Sequence, residues 1–364
     1  MALALVLGRR ELGRAWPNPA VGAVVVRDDG AGPVIVGRGW TQAGGRPHAE
    51  TEALRRAGAL ARGATLYVTL EPCCHHGLTP PCTDAIIAAG ISRVVSAIED
   101  PNPKVAGAGH WRMAEAGIVV DVGTGREEAR KAHAGHFRRV RDNRPHVTLK
   151  LAVSADGKAG LAGRRPAAIT GEAARERVHR LRAINDAILI GIGTALSDDP
   201  LLTCRLPGME ERSPVRAVLD ANLRLPPGSR LAQTAARTLV WVYTSESAPA
   251  ERERVLTDRG VEVLRVPTSA PGRLDLGRVL NALAARGITR LMVEGGPTVA
   301  AAFLAADLVD GAALFRSPTR IGAGGIDALE GTPLETLTRS PRLALIGTET
   351  VGPDTIEFFA RTEG

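Results

Sequence analysis

The sequence predicts a two-domain protein of the α/β class. Short β-branched runs alternate with amphipathic helical stretches along the chain, the pattern of sheets covered by helices. The length, 364 residues, exceeds the roughly 100 to 200 residues usual for one domain. A basic stretch, EEARKAHAGHFRRVRDNRP from Glu127 to Pro145, separates two such series and places a junction near Asn143.

The opening MALALVLGRR reads as the start of a helix, because its apolar run is too short for a secretory leader and its charges follow that run. AVGAVVV (Ala20 to Val26) and PVIVGRGW (Pro33 to Trp40) flank RDDGAG and form a hairpin. HAETEALRRAGA from His48 is helical, TLYVTL from Thr65 is a buried strand, and CTDAIIAAG from Cys82 is a helix that Gly90 stops. SRVVSAIED and GIVVDVG add strands on either side of a helix near GAGHWRMAEAG, giving a mixed sheet. The basic stretch contains a helix. HVTLKLAVSADGK then begins a second sheet, followed by the helix GEAARERVHRLRA and strands in DAILIG, VRAVLD, TLVWVY and VEVLRV. ITRLMVEGGPTVAAAFLAA supplies a strand, a glycine turn and a helix. The default ligand site of this second half is a nucleotide-sized crevice.

Composition bounds the function. With 44% hydrophobic and 23% charged residues the chain is an ordinary soluble protein, and no apolar run approaches the roughly 18 residues of a membrane span. Four cysteines are too few for a disulfide framework, and clustered thiols in a cytoplasmic protein point to metal or catalysis. The net charge of +7 suits nucleic acid or small anions. Aromatic residues are only 3%, and Trp16, Trp40, Trp111 and Trp241 are scattered singly, so no base-stacking platform is visible. A phosphorylated metabolite is the expected partner, with neither nucleic acid nor membrane.

The chemistry of the first half lies in PHAE (Pro47 to Glu50) and TLEPCCHHGLTPPCTD (Thr69 to Asp84). His48 and Glu50 stand two residues apart at a helix start. Cys73 and Cys82 supply two thiols, and Cys82 begins the next helix, whose dipole favours a thiolate there. One imidazole and two thiolates leave a fourth position of a tetrahedral zinc open for water, and Glu50 can shuttle the proton of that water to a leaving amine. This is the zinc-deaminase pattern H-x-E with P-C-x-x-C, except that the second cysteine comes later, because His76 stands where C-x-x-C would place it. Cys74 competes with Cys73 as ligand. A closed structural zinc, with His75 or His76 as fourth ligand, is the alternative. In the second half no G-x-G-x-x-G follows a strand, so the Rossmann fingerprint is absent. Free amides at the Gly295-Gly296 turn can instead hold a phosphate.

WPNPAVGAVVV, PHAE, TLEPCCHHGLTPPC and DPNP resemble the signatures of the bifunctional deaminase-reductases of riboflavin biosynthesis. The resemblance continues through LKLAVSADGK, DAILIGIGTALSDDPLLTCR and VEGGPT. It implies a cytidine-deaminase-like three-layer α/β/α domain over 1–143 and a dihydrofolate-reductase-like α/β domain over 144–364. The implied reactions are zinc-dependent deamination of a diaminopyrimidinone ribosyl phosphate, then reduction of its ribosyl group to ribityl by NADPH. Asn18, His75 and Asn102 would surround the substrate of the first site. Ala152, Thr194, Asp198, Gly296, Pro297, Thr298, Val299, Ala300, Ala301 and Ala302 would hold the cofactor, and Arg182, Leu202, Arg205 and Glu294 the second substrate. Lys150 and Asp199 are further polar candidates there. A homo-oligomer is the expected assembly. Two departures stand out. Leu78 occupies a place where the family commonly carries Lys or Arg. Pro166 and Ala168 replace a Ser-x-Trp before Ile169-Thr170, which raises a second reading, a deaminase with an impaired reductase. A base deaminase acting on nucleic acid is a third.

Overall fold

Strand Gly22–Asp28 organises the first sheet. It pairs antiparallel with Pro33–Trp40 on one side and with Thr65–Val68 on the other. Asp28 Oδ1 accepts the amides of Gly30 and Gly32 and so closes the expected hairpin turn. Arg93–Ser96 and Val119–Val122 then add in parallel, giving the mixed five-stranded sheet that the alternation predicts. Side-chain alternation splits the central strand between two layers. Ala23 and Val25 join Leu66, Ile86, Val94 and Met113 in one core, while Val24 meets Ala4 and Leu7 of the helix Ala2–Gly8 on the other face.

Two glycines let the helix Ala49–Ala57 lie directly on this sheet. A Cβ on Gly37 would sit 2.2 Å from the Ala53 carbonyl oxygen, and one on Gly39 would sit 2.0 Å from that of Ala49. Only glycine permits that approach, and it fixes the helix whose first turn carries His48 and Glu50.

The computed structural model describes residues 1–164 and 168–362, so Pro166 lies outside the described residues. The chain divides into two units, Met1–Pro145 with Ala284–Thr289, and His146–Leu283 with Arg290 to the chain end. The basic stretch forms two helices rather than one, Arg126–Ala132 and Ala134–Asp142, and Asn143 ends the second in the left-handed region with φ of 51°.

The second unit holds a nine-stranded sheet in the order Glu262–Val266, Val240–Ser245, Val215–Leu219, Ala187–Gly191, Arg290–Val293, His146–Val153, Gly311–Arg316, Asp354–Arg361 and Leu343–Val351. The first seven run parallel, and the last two form an antiparallel hairpin against Gly311–Arg316. Ala187–Gly191 is buried at every position, which is why it reads as a continuous apolar run. Sequence reading passed over the last three strands. Leu343–Val351 is exposed along most of its length and shows no two-residue alternation to detect. Among the described residues no helix is long and apolar enough to cross a membrane.

Candidate functional site

His48 caps the helix Ala49–Ala57 and Cys82 opens the helix Cys82–Ala88, while Cys73 belongs to the loop after strand Thr65–Val68. Their donor atoms converge. His48 Nδ1 lies 3.3 Å from Cys82 Sγ and 3.7 Å from Cys73 Sγ, and the three ligand atoms all fall within 4.8 Å of one another. One imidazole and two sulfurs at this separation fit a tetrahedral zinc with a fourth position for water. Cys74 stays outside the cluster, with its sulfur 3.6 Å from the Lys104 carbonyl. His75 lines the adjoining cavity, and neither it nor His76 joins the three donors.

The electrostatics differ from the dipole argument in one respect. The amide of Cys82, at the helix start, donates to Cys73 Sγ at 3.3 Å. The thiol of Cys73 is pulled down to about 4 by hydrogen bonds from Cys82 and His48, whereas Cys82, donating its proton to Cys73 and buried, is pushed up. The amide at the helix start thus supports a thiolate on Cys73, and binding of zinc would require both sulfurs deprotonated. Glu50 is only 4% exposed, and burial raises its carboxyl to about 7 although neighbouring His48 opposes the shift.

These groups open into a cavity of about 470 Å³ also lined by Asn18, His75, Asn102, Arg46 and Thr79. Asn18 Nδ2 donates to the Gly45 carbonyl at 2.8 Å and lies 3.4 Å from His48 Nε2, so it supports the ligand loop as well as facing the cavity. Leu78 is 89% exposed.

Sequence reading missed Glu71. This carboxylate, 3% exposed, accepts four amides: Asp100 and Gly107 on Oε2, Gly109 and His110 on Oε1. It ties the loop of Asp100 and Asn102, and the helix Ala108–Glu115, to the segment carrying Cys73. His136 Nε2 and Asp100 Oδ1, 2.9 Å apart, brace the same loop. The only signal was the acidic residue of EPC itself, and nothing local marks four distant amides as its partners.

In the second unit a cavity of about 480 Å³ collects most of the residues assigned to it: Ala152, Thr194, Asp198, Gly296, Pro297, Thr298 and Val299, with Arg182, Leu202, Glu294 and Lys150. Four do not line it. Ala300 is fully buried in the core, Ala301 and Ala302 continue down the helix Pro297–Ala305, and Arg205 is exposed with its amide 3.4 Å from His179 Nδ1. Asp199 also stands outside the lining, its Oδ1 accepting the Arg230 amide at 2.8 Å. Ala168 lines the cavity.

Glu294 gathers the polar groups. Arg182, projecting from the helix Glu172–Ala183, donates to it from Nε at 3.1 Å and from its terminal nitrogen at 2.9 Å, and Lys150 Nζ reaches it at 3.4 Å. Burial works to raise the Glu294 carboxyl, but the two cations outweigh it and hold the group below its ordinary range. Arg182 also donates to the Thr203 carbonyl. It is therefore no ordinary surface charge, being 8% exposed and engaged on both sides. The turn amide of Gly296 is not free either. It donates to Thr194 Oγ1 at 3.0 Å and locks the turn to the helix Ile192–Asp198. A Cβ on Gly193 would meet no atom within 4 Å, which leaves backbone open to the cavity, as a bulky nucleotide cofactor requires.

Residues 1–98 match the family model described as the cytidine and deoxycytidylate deaminase zinc-binding region, and residues 145–356 match the RibD C-terminal domain. Fold and sites together define a zinc-dependent deaminase joined to an NADPH-dependent reductase. The chain is 41% identical to riboflavin biosynthesis protein RibD of Escherichia coli K12, over 97% of this chain and 96% of that one. It is 39% identical to RibD of Aquifex aeolicus VF5, over 99% and 97%. Solved structures agree. Acinetobacter baumannii RibD superposes with a TM-score of 0.87 at 35% identity, covering 100% of this chain and 98% of that chain. The Thermotoga maritima diaminohydroxyphosphoribosylaminopyrimidine deaminase/5-amino-6-(5-phosphoribosylamino)uracil reductase gives 0.84 at 36%, covering 100% and 97%. The chain belongs to the RibD family, the bifunctional deaminase-reductases of riboflavin biosynthesis, and neither alternative reading is favoured.

Proposed function

We propose that the first domain, 1–143, removes an amine hydrolytically from 2,5-diamino-6-ribosylamino-4(3H)-pyrimidinone 5′-phosphate. The second, 144–364, reduces the ribosyl group of the product to ribityl with NADPH. The observation that carries the reading is the convergence of His48 Nδ1 and the Cys73 and Cys82 sulfurs beside a buried Glu50. In this reading His48, Cys73 and Cys82 hold zinc. What zinc supplies when bound is Lewis acidity, which makes a water acidic near neutral pH.

Glu50 does the proton work. With a carboxyl near 7 it accepts a proton from the attacking water and returns it to the departing amine nitrogen, so ammonia leaves and a carbonyl remains. Asn18, His75 and Asn102 orient the pyrimidine and ribose around that carboxyl. In the second domain Ala152, Thr194, Asp198 and the turn from Gly296 to Val299 seat the cofactor. Arg182 and Lys150 are held by Glu294 for the substrate, and Leu202 shapes the wall. Hydride comes from the cofactor, so positioning dominates the chain's contribution.

The test follows both products in one reaction with the zinc-loaded protein, substrate and excess NADPH. A ratio of ammonia released to NADPH oxidised near one supports both assignments, including tolerance of Ala168. Ammonia without NADPH oxidation sinks the second. Glu50→Gln should retain zinc yet lose deamination by roughly 100- to 10,000-fold. The cytoplasm and a homo-oligomer complete the reading; four unpaired thiols support the former, and light scattering tests the latter.

A further inference from the structure

Arg46 is a cation at the deaminase cavity that the reaction above does not use. It stands two residues before His48 and lines the same cavity. One terminal nitrogen donates to Thr79 Oγ1, and the other lies 3.5 Å from where a Cβ on Gly77 would sit. Thus the guanidinium rests against the loop 77–79, both ends of which also line the cavity. Among the described residues no carboxylate pairs with it; its one hydrogen-bond partner is a neutral hydroxyl.

Apart from Glu50 and His48, which the deamination itself uses, and His75, the other charged groups on this cavity wall are already engaged. Glu71 is saturated by four amides, Asp100 faces His136, and Arg139 donates to the Pro17 carbonyl at 2.8 Å. Leu78, in the same loop, offers no charge and points to solvent. A half-buried guanidinium held at a cavity rim by a neutral hydroxyl keeps planar donors for an anion, and a phosphate with three acceptor oxygens matches that fork.

We propose that Arg46 recognises the 5′-phosphate of the deaminase substrate, with Thr79 holding the guanidinium in place. The inference rests on the deaminase reading above and deepens it. The guanidinium comes from the segment that carries His48 and is held by the loop 77–79, so it presents its remaining donors to the cavity.

The experiment compares ammonia release from the phosphorylated substrate and from its dephosphorylated riboside, for the wild-type protein, Arg46→Ala and Arg46→Lys, each with zinc content measured. The expected result is that Arg46→Ala lowers the ratio of the two kcat/KM values by roughly 30-fold, through KM for the phosphorylated form, and that Arg46→Lys recovers part of it. Inorganic phosphate should inhibit the wild-type protein competitively and Arg46→Ala much more weakly. If Arg46 only clamps the loop, both substrates lose alike and the ratio stays put, which overturns the proposal. Should Arg46→Ala fail to hold zinc, the ratio in Arg46→Lys and the phosphate inhibition decide. A wild-type protein that releases no ammonia from either substrate instead sinks the deaminase reading itself.

Discussion

Replacing Glu71 by glutamine tests whether one buried carboxylate organises the deaminase cavity. The substitution preserves shape but turns one acceptor oxygen into an amide donor. Either oxygen receives two amides, at 3.1 and 3.0 Å or at 2.9 and 3.2 Å, so the new amide group must face two donors whichever way it rotates. Two hydrogen bonds to a charged acceptor disappear, each worth about 1.5 to 3 kcal/mol, for a loss of about 3 to 6 kcal/mol. A unit of this size loses roughly 2 to 4 °C of melting temperature per kcal/mol, so the deaminase transition should fall by about 6 to 24 °C. Calorimetry on the full chain reads this, with NADPH oxidation on already deaminated substrate as the internal control for the second unit. A transition that moves by less than about 2 °C would mean that the four amides find other partners and that Glu71 does not hold the loop.

Further outcomes follow from the same geometry. Removing zinc with a chelator should abolish ammonia release while NADPH oxidation on deaminated substrate persists; parallel loss of both would contradict separate sites. Gly39→Ala drives a Cβ into the Ala49 carbonyl oxygen, so it should destabilise by about 1 to 3 kcal/mol and weaken zinc binding by shifting His48, measured by urea unfolding and metal competition. Glu294→Gln leaves the buried Arg182 and the half-buried Lys150 without their counter-charge and should cost about 2 to 4 kcal/mol at pH 7. Because the folded carboxyl is held below its ordinary value, its contribution is full above about pH 4.5 and is lost as pH falls through the depressed value. The gap between wild type and Glu294→Gln in urea midpoint should therefore close on acidification, and a gap that widens in acid would reverse the assigned sign.

Much of the deaminase site was legible because its chemistry is local. His48 and Glu50 share one helix turn, and Cys73 and Cys82 flank one loop, so short motifs carry the candidate donors and their spacing. What escaped depends on distant partners. The helix start at Cys82 was legible, but its amide is turned on Cys73 Sγ, nine positions earlier in sequence, a contact that no local motif announces. The Gly295-Gly296 turn was recognised, but Thr194, 102 positions earlier, had already claimed the Gly296 amide. In the fold, the buried strands of the first unit and most of the parallel strands of the second were readable, whereas Gly311–Arg316 and Asp354–Arg361 were passed over although buried or half-buried, and the exposed Leu343–Val351 strand carries no period.

Three enclosed glutamates make the general point. Glu50 and Glu71 are buried and Glu294 is half-buried, and burial works to raise the carboxyls of Glu50 and Glu294. Their partners separate them. Glu50 sits against His48 and Cys82 and keeps a carboxyl near 7, so it can take up and release a proton. Glu294 faces two cations that hold it ionised, which suits it to positioning Arg182 and Lys150 and unfits it as an acid near neutral pH. Glu71 has both oxygens filled by amides and has no lone pair left to serve a substrate. The role of a buried acid is therefore decided by the donors that surround it, and those donors are assembled by the fold from positions that no single motif contains.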